Sequence, residues 1–458
     1  MAIVSVNPVT EQELARFEEY TWPEVEQALE KAWAARQLWR ETPPSGRASR
    51  FAELGAYLRH EKPRLAALLT AEMGKPIVEA EAEVEKCAWT SEWFAEHAEM
   101  LVAPRRVESS AAESYVRFQP LGVVLAVMPW NFPLWQVFRA AIPALIGGNV
   151  MLLKHASNVP QAALAAQDAF RRAGFPEGVF QTLLVSSGPV ERIIRDRRVA
   201  GVTLTGSGAA GSKVAEVAGS ALKKSVLELG GSDPFVVLAD ADVLAAARVA
   251  CRARNQNNGQ SCIAAKRFVV VESVADQFQH HFVEAVAGLK VGDPVERDTN
   301  VGPLARADLV DELERQVKES LAMSARAAVG GSRVDGTGYY FQPTVLTGVT
   351  PDMPVFKEET FGPVAAVIRV RSEEEAIAVA NDTDFGLGAS LWTGDMARGK
   401  RLAARVEAGA VFVNGMVASD ARLPFGGVKR SGYGRELSEF GLHEFMNVQT
   451  VWVAPPPR

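Results

Sequence analysis

The order of strand-like and helix-like stretches predicts an α/β protein: a mostly parallel, doubly wound sheet followed by a second α/β series. Three observations lead there. Strands and helices alternate from Val123 to Leu229, as repeated βα units require. The longest apolar region, 121–153, is broken by Pro129, Asn131, Pro133, Arg139, Pro143 and Asn149, so it reads as buried core and not as a membrane span. With 458 residues, 48% hydrophobic and 23% charged, the chain has ordinary globular composition and room for two or three domains.

The elements follow in order. From Pro23 to about Met100 the pattern is helical, with Val25, Ala28, Leu29, Ala32, Trp33 and Trp39 recurring at three and four residues. Ser45 is placed as the N-cap of a helix over 47–60, and 79–99 forms another. Residues 113–120 alternate like a strand with charge on one face, a ribbon suited to a sheet edge or a partner subunit. Strands are predicted over 123–128, 149–154, 180–185, 202–205 and 226–229, with helices over 134–146, 161–173, 190–197 and 212–221. Their ligand is expected beyond the strand C-termini. The second series starts at Pro234 and runs past Asn414, and β-branched 447–453 is a candidate partner for the 113–120 ribbon. Pro455 to Arg458 is a short tail.

A net charge of −6 argues against nucleic acid or an anionic membrane as the main partner. Three cysteines, far from any CxxC spacing, indicate a reducing compartment and no disulfide framework. Six scattered histidines without HExxH give no reason to expect a metal. The first eight residues lack the pattern of a signal peptide, so the expected location is the cytoplasm.

Chemistry concentrates at Asn255 to Ala265, where Cys262 ends a run of uncharged polar residues between a helix and a strand. Such a thiol is better placed to react than one in an apolar core; an inert buried cysteine is the competing reading. Pro129 to Pro133 holds Asn131 between two prolines directly after a strand. Its amide can donate to an oxygen that gains charge during reaction, or cap the following helix. Glu228, followed by Leu229-Gly230-Gly231, is a candidate general base, or a surface glutamate at a turn. A rival exists in Gly206 to Gly211, which satisfies GxGxxG and lies 22 residues before Glu228 by its first glycine. That is the dinucleotide fingerprint with its ribose-binding acid, although it sits at a late βα turn, and Lys154 to Ser157 offers a competing ribose site.

These segments, together with Glu358 to Pro363 and Pro424 to Gly432, resemble the aldehyde dehydrogenase superfamily over nearly the whole chain. Lys154-His155-Ala156, Glu228 to Phe235, Ala418 to Arg422 and Gly441 to Phe445 are similar to bacterial succinate-semialdehyde dehydrogenases. The resemblance implies a Rossmann-type cofactor domain over 1–112 and 121–230, an α/β catalytic domain over 231–430, and an oligomerisation β-ribbon from 113–120 and 440–458. It implies Cys262 as nucleophile, Asn131 with the Cys262 N–H as oxyanion donors, and Glu228 as base, which decides against the fingerprint. Trp130, Lys154, Ser157, Gly206, Ser207, Glu359 and Phe361 are the implied cofactor residues, and a homodimer or homotetramer is expected.

Where strictly NAD-using relatives often carry a glutamate, this chain has Ser157, so NADP is the expected cofactor, with NAD tolerated. Ser157 capping a turn is the alternative. A relative's arginine six residues before the nucleophile is here Gln256, and a second cysteine two residues after it is here Ala264. Arg139 is the only charge in a helix otherwise apolar apart from Gln136, so it needs an anion. By resemblance that anion is the far carboxylate of succinate semialdehyde, assisted by Ser419 and Gln256, with Arg422 a weaker candidate. An internal salt bridge is the alternative. Glutarate semialdehyde or an uncharged aldehyde are the rival substrates, and a non-catalytic structural protein on this scaffold is the rival class.

Overall fold

The computed structural model describes residues 2–454; the tail 455–458 lies outside them. The chain opens with an antiparallel pair, β1 (Ala2–Val6) and β2 (Glu13–Glu18), that the hydrophobic pattern did not announce. Four helices follow: α1 (Trp22–Glu41), α2 (Pro44–His60), α3 (Lys62–Met73) and α4 (Ile77–Val102). Thr21 and Glu24 close a capping box on α1. Ser45 does not cap α2. Pro43 and Pro44 preset the backbone so that the helix starts at Pro44, leaving Ser45 inside its first turn.

After β3 (Arg105–Arg106) and β4 (Glu113–Pro120) comes the alternating series: β5 (Val123–Met128), α5 (Trp135–Ile146), β6 (Val150–His155), α6 (Pro160–Arg172), β7 (Phe180–Thr182), α7 (Val190–Arg195), β8 (Val199–Thr205), α8 (Gly208–Ser220) and β9 (Lys224–Glu228). The second series begins with β10 (Asp233–Val237), α9 (Val243–Asn255), β11 (Ala265–Val271), α10 (Glu272–Ala287) and α11 (Ala307–Ala322). It continues with β12 (Arg326–Val329), β13 (Thr344–Thr347), α12 (Pro354–Lys357), β14 (Val364–Val370), α13 (Glu373–Asn381), β15 (Gly388–Trp392), α14 (Met396–Ala403) and β16 (Ala410–Val413). The chain then closes with β17 (Gly432–Tyr433), α15 (Ser438–Glu444) and β18 (Met446–Val453).

The first sheet runs β17-β9-β8-β5-β6-β7, parallel except for β17. From β5 the chain builds outward to β6 and β7, then returns to place β8 and β9 on the other side. The order therefore reverses between β5 and β8, and a crevice forms beyond their C-terminal ends. The second sheet runs β12-β13-β14-β11-β10-β15-β16, with only the β12/β13 pair antiparallel. Its strands are apolar on both faces because each face carries its own core. Val236 and Val269 pack on one side, Phe235, Val237, Phe268 and Val270 on the other. The third sheet is β18-β4-β3, with Met446 opposite Pro120 and Val453 opposite Glu113. The expected pairing of the two ribbon segments thus forms within one chain. Among the described residues no helix is long and apolar enough to cross a membrane.

Candidate active site

Between α9 and β11 the backbone has no ladder of its own. Asn257, Asn258 and Gly259 all take positive φ, 57°, 57° and 73°, which asparagine and glycine tolerate best. A side chain at Gly259 would also collide with the Gly362 carbonyl, because the segment before β14 crosses the loop there. The loop is more deeply buried than an uncharged polar run suggests, since its amides bond to neighbouring segments instead of to water. Asn258 Nδ2 donates to the carbonyls of Gly74 and Pro303, and its Oδ1 accepts from the Gly302 N–H. Asn257 Nδ2 donates to the Asn131 and Gln260 carbonyls at 2.8 and 2.9 Å. Lys266, fully buried, donates to the carbonyls of Ser261, Cys262 and Ala264, and Arg254 to those of Gly259 and Ala265.

Cys262 lies where two cavities meet. One, about 230 Å³, opens at the β5/β8 reversal. Pro129, Trp130 and Asn131 from the end of β5, Gly206 and Ser207 from the end of β8, and Glu359 and Phe361 line it. Trp130 and Phe361 meet edge to face with centroids 5.7 Å apart. Gly211 lets α8 pack against Leu229, while a side chain at Gly208 would enter open space. Asn131 Nδ2 donates to the Gln260 carbonyl at 3.1 Å, which orients the amide and leaves its other N–H available. The far end of the same loop is pinned by His155, whose Nε2 donates to the Pro133 carbonyl while Nδ1 accepts from the Ala156 N–H. Burial pushes that imidazole down to about 4, so it stays neutral.

The second cavity, about 280 Å³, lies on the other side of Cys262 between α4 and α5. Arg139, Gln256 and Ser419 all line it, as do Glu79, Glu83, Lys86, Trp135, Arg252 and Phe425, which the sequence did not mark. Glu79, Ala82, Glu83 and Lys86 sit three and four residues apart on one face of α4, and only the tertiary packing turns that face to the site. Glu83 caps α5, its Oε1 accepting from the Leu134 and Trp135 N–H groups, and pairs with buried Lys75.

The anion of Arg139 belongs to the chain. Its guanidinium forms a buried ion pair with Glu436, donates to Thr205 Oγ1 at 3.3 Å and stacks 4.5 Å from the Phe425 ring centroid. Of the two readings of Arg139, the internal salt bridge is therefore present, although the residue also faces the cavity. Arg422 is exposed and holds Asp420 through two nitrogens, outside the cavity lining. Glu228 is only 2% exposed, so it is no surface glutamate, and its carboxyl lines neither cavity. Burial, then the nearby Glu436 charge, holds it well above the usual carboxylate range against Arg139 and Arg435. Burial likewise pushes the Cys262 thiol up to about 12, despite Arg139 and Lys266.

Gly230 and Gly231 follow β9 because nothing larger fits. A Cβ on the first would strike the Glu359 carboxylate; on the second it would lie 2.6 Å from the Cys262 carbonyl oxygen. Lys154 and Ser157 do not line either cavity. They stand at and just past the end of β6, beside β5, with Ser157 exposed and making no helix-capping bond.

A family model described as "Aldehyde dehydrogenase family" matches residues 1–451. The chain is 49% identical over 451 residues to a protein of Escherichia coli named succinate semialdehyde dehydrogenase, NAD(P)+, spanning 98% of this chain and 97% of the relative. It is 50% identical over 457 residues to a Mycobacterium tuberculosis protein named succinate-semialdehyde dehydrogenase, NADP+, 1, spanning 99% and 100%. The crystal structure of succinic semialdehyde dehydrogenase from Streptococcus pyogenes in complex with NADP+ superposes with a TM-score of 0.97 at 37% identity, covering 99% of this chain and 100% of that one.

Removing Arg139 leaves Glu436 buried without its counter-charge. Arg139→Ala is expected to cost roughly 3–5 kcal/mol of stability, and Arg139→Met with Glu436→Gln to recover much of it. Thermal denaturation of both variants reads this; an unchanged melting temperature for the single variant would mean that the pair carries no buried charge.

Proposed function

The chain belongs to the aldehyde dehydrogenase family, and on that premise we propose that it oxidises succinate semialdehyde to succinate with NADP, tolerating NAD, through a covalent adduct on Cys262. The observation that carries this reading is the Cys262 thiol at the junction of a cavity at the sheet's reversal point and a second cavity whose lining holds Lys86, Arg139 and Arg252 beside Glu79 and Glu83.

Cys262 is neutral at rest, and loss of its proton precedes attack on the aldehyde carbon. The free N–H of the Asn131 amide and the Cys262 backbone N–H hold the resulting oxyanion. Losing the Asn131 donor costs about 3 kcal/mol, or a few-hundred-fold in rate. When bound, the nicotinamide cofactor supplies the acceptor for the hydride that leaves this carbon. Trp130, Gly206, Ser207, Glu359 and Phe361 would hold it, with Lys154 and Ser157 directed to its adenosine ribose. The first cavity suits such a group, having an aromatic wall and, through Gly206 and Ser207, a border at the N-terminus of α8. The carbon is left as a thioester on Cys262, and Glu228 deprotonates the water that hydrolyses it. Burial and the Glu436 charge disfavour the ionised form of Glu228, so it serves as a base only once deprotonated. The substrate's own carboxylate lies in the second cavity, with Arg139, Ser419 and Gln256.

We further assign cofactor binding to 1–112 and 121–230, catalysis to 231–430, and assembly into a homodimer or homotetramer to the ribbon of 113–120 and the described part of 440–458, which ends at residue 454. Val448, Trp452 and Val453 stand exposed on β18, in support of assembly there. A reducing cytoplasm suits the three free thiols.

Cys262→Ala is expected to abolish formation of reduced cofactor while leaving cofactor affinity largely intact, measured by binding titration beside turnover. Glu228→Gln should give one burst of reduced cofactor followed by slow thioester hydrolysis. Because the basic form of Glu228 exists only above its raised pKa, wild-type deacylation should accelerate as pH rises through that range, and Glu228→Gln should lose the acceleration. A variant that merely raised the cofactor KM would return Glu228 to the GxGxxG reading. Ser157→Glu should move preference from NADP towards NAD, since a carboxylate repels a 2′-phosphate and accepts from a 2′-OH. An unchanged NADP/NAD ratio of kcat/KM would remove Ser157 from the cofactor site.

A further inference from the structure

A four-carbon substrate that ends in a carboxylate needs a counter-charge in the cavity between α4 and α5. Each acid around that cavity already has a partner. Glu83 is paired with Lys75 and caps α5, Asp420 is held by Arg422, Glu436 by Arg139, and Glu79 accepts from the Asn257 N–H at 2.6 Å. Of the cations, Arg139 is neutralised by Glu436, and Arg252 stands exposed at the rim, where water screens it. Lys86 differs from both. It is half-buried on the cavity face of α4, and among the described residues no carboxylate lies within ion-pair distance of its Nζ. The Nζ instead donates to Ser419 Oγ at 2.7 Å and lies 4.4 Å from the Trp135 ring centroid. A neutral hydroxyl and an aromatic face orient an ammonium without cancelling its charge.

We propose that Lys86 is the residue that selects aldehydes bearing a carboxylate: its ammonium, together with the Ser419 hydroxyl, binds the substrate's far carboxylate while the aldehyde carbon rests at Cys262. The ammonium has two further N–H groups after the one given to Ser419, and Ser419 Oγ, accepting from Lys86, has its own hydrogen free to donate to the same carboxylate. Desolvation, then the nearby Arg139 charge, pushes the Lys86 amine down to about 8, a displacement that a bound anion reverses. Arg139 still lines the cavity and can hydrogen-bond the same carboxylate, but its charge is already balanced by Glu436, so the unbalanced charge that selects an anion is that of Lys86. The inference rests on the substrate reading of the preceding subsection and adds to it the residue that enforces it.

Steady-state kinetics of wild type, Lys86→Met and Lys86→Arg with succinate semialdehyde and with butyraldehyde, which has the same chain length and no carboxylate, test it. Wild type is expected to prefer succinate semialdehyde. Lys86→Met should lower that preference about 10- to 150-fold, mainly by raising KM for succinate semialdehyde, as expected for one lost charge-assisted hydrogen bond. Lys86→Arg, which keeps the charge, should retain most of the preference. A Lys86→Met enzyme with the wild-type ratio would give the carboxylate to Arg139 or Arg252 and overturn the proposal. Equal losses on both aldehydes would also overturn it, by making Lys86 a support of the fold. A wild type with no preference would instead defeat the substrate reading, and the role of Lys86 with it.

Discussion

Everything at this site depends on how a stretch of irregular backbone survives in the protein interior. From Gln256 to Ala264 the chain is in neither long helix nor sheet, yet it is almost wholly buried, so its carbonyls cannot turn to water. Two buried cations answer them. Lys266 gathers three carbonyls and Arg254 reaches those of Gly259, Ala265 and Thr360. Each unpaired carbonyl would cost about 1–3 kcal/mol, so the grip is worth keeping despite the desolvation of two charges. That desolvation is visible in Arg254, pushed down to about 9, and in Lys266, also held below its usual value, while the Glu359 and Asp233 carboxyls offset the positive charge.

Once the loop is fixed, the rest of the site is a matter of bringing two sheets together. The second sheet delivers Cys262 from the approach to β11, and the first delivers Asn131 and Gly206 from the ends of β5 and β8. The glycines after β9 allow the two bodies to touch, with Gly231 against the Cys262 carbonyl. Asn257 crosses the same seam to bond the Asn131 carbonyl, so the two segments hold each other in register.

Much of this was legible in the sequence because it is local or announced by a strand pattern. The βα alternation, the positive φ expected of an Asn-Gly run and the partner of the 113–120 ribbon are written in neighbouring residues or in matching strand patterns. What was not legible depends on distant pairs. Glu436 lies almost three hundred residues from Arg139 and carries no pattern that names its partner. Lys86 looks like an ordinary charge on a long amphipathic helix until α4 is seen against the cavity. Ser45 shows a smaller failure: a good capping residue was overruled by two prolines that begin the helix earlier.

The short strand β17 has a consequence for how the molecule comes into being. Gly432 and Tyr433 complete the edge of the first sheet beside Glu228 and Leu227, some two hundred residues after β9 has been made. Gly432 fits there because its φ of 112° brings it against the Leu227 carbonyl, where no side chain has room. A nascent chain that has emerged only as far as residue 230 therefore presents β9 as an open edge, with Glu228 at its end and no lid over it. The earlier-made half of the molecule waits for the later-made half to seal it. Fragments cut at the apparent boundary near residue 230 would carry an unpaired strand, a ready template for wrong pairing with another copy.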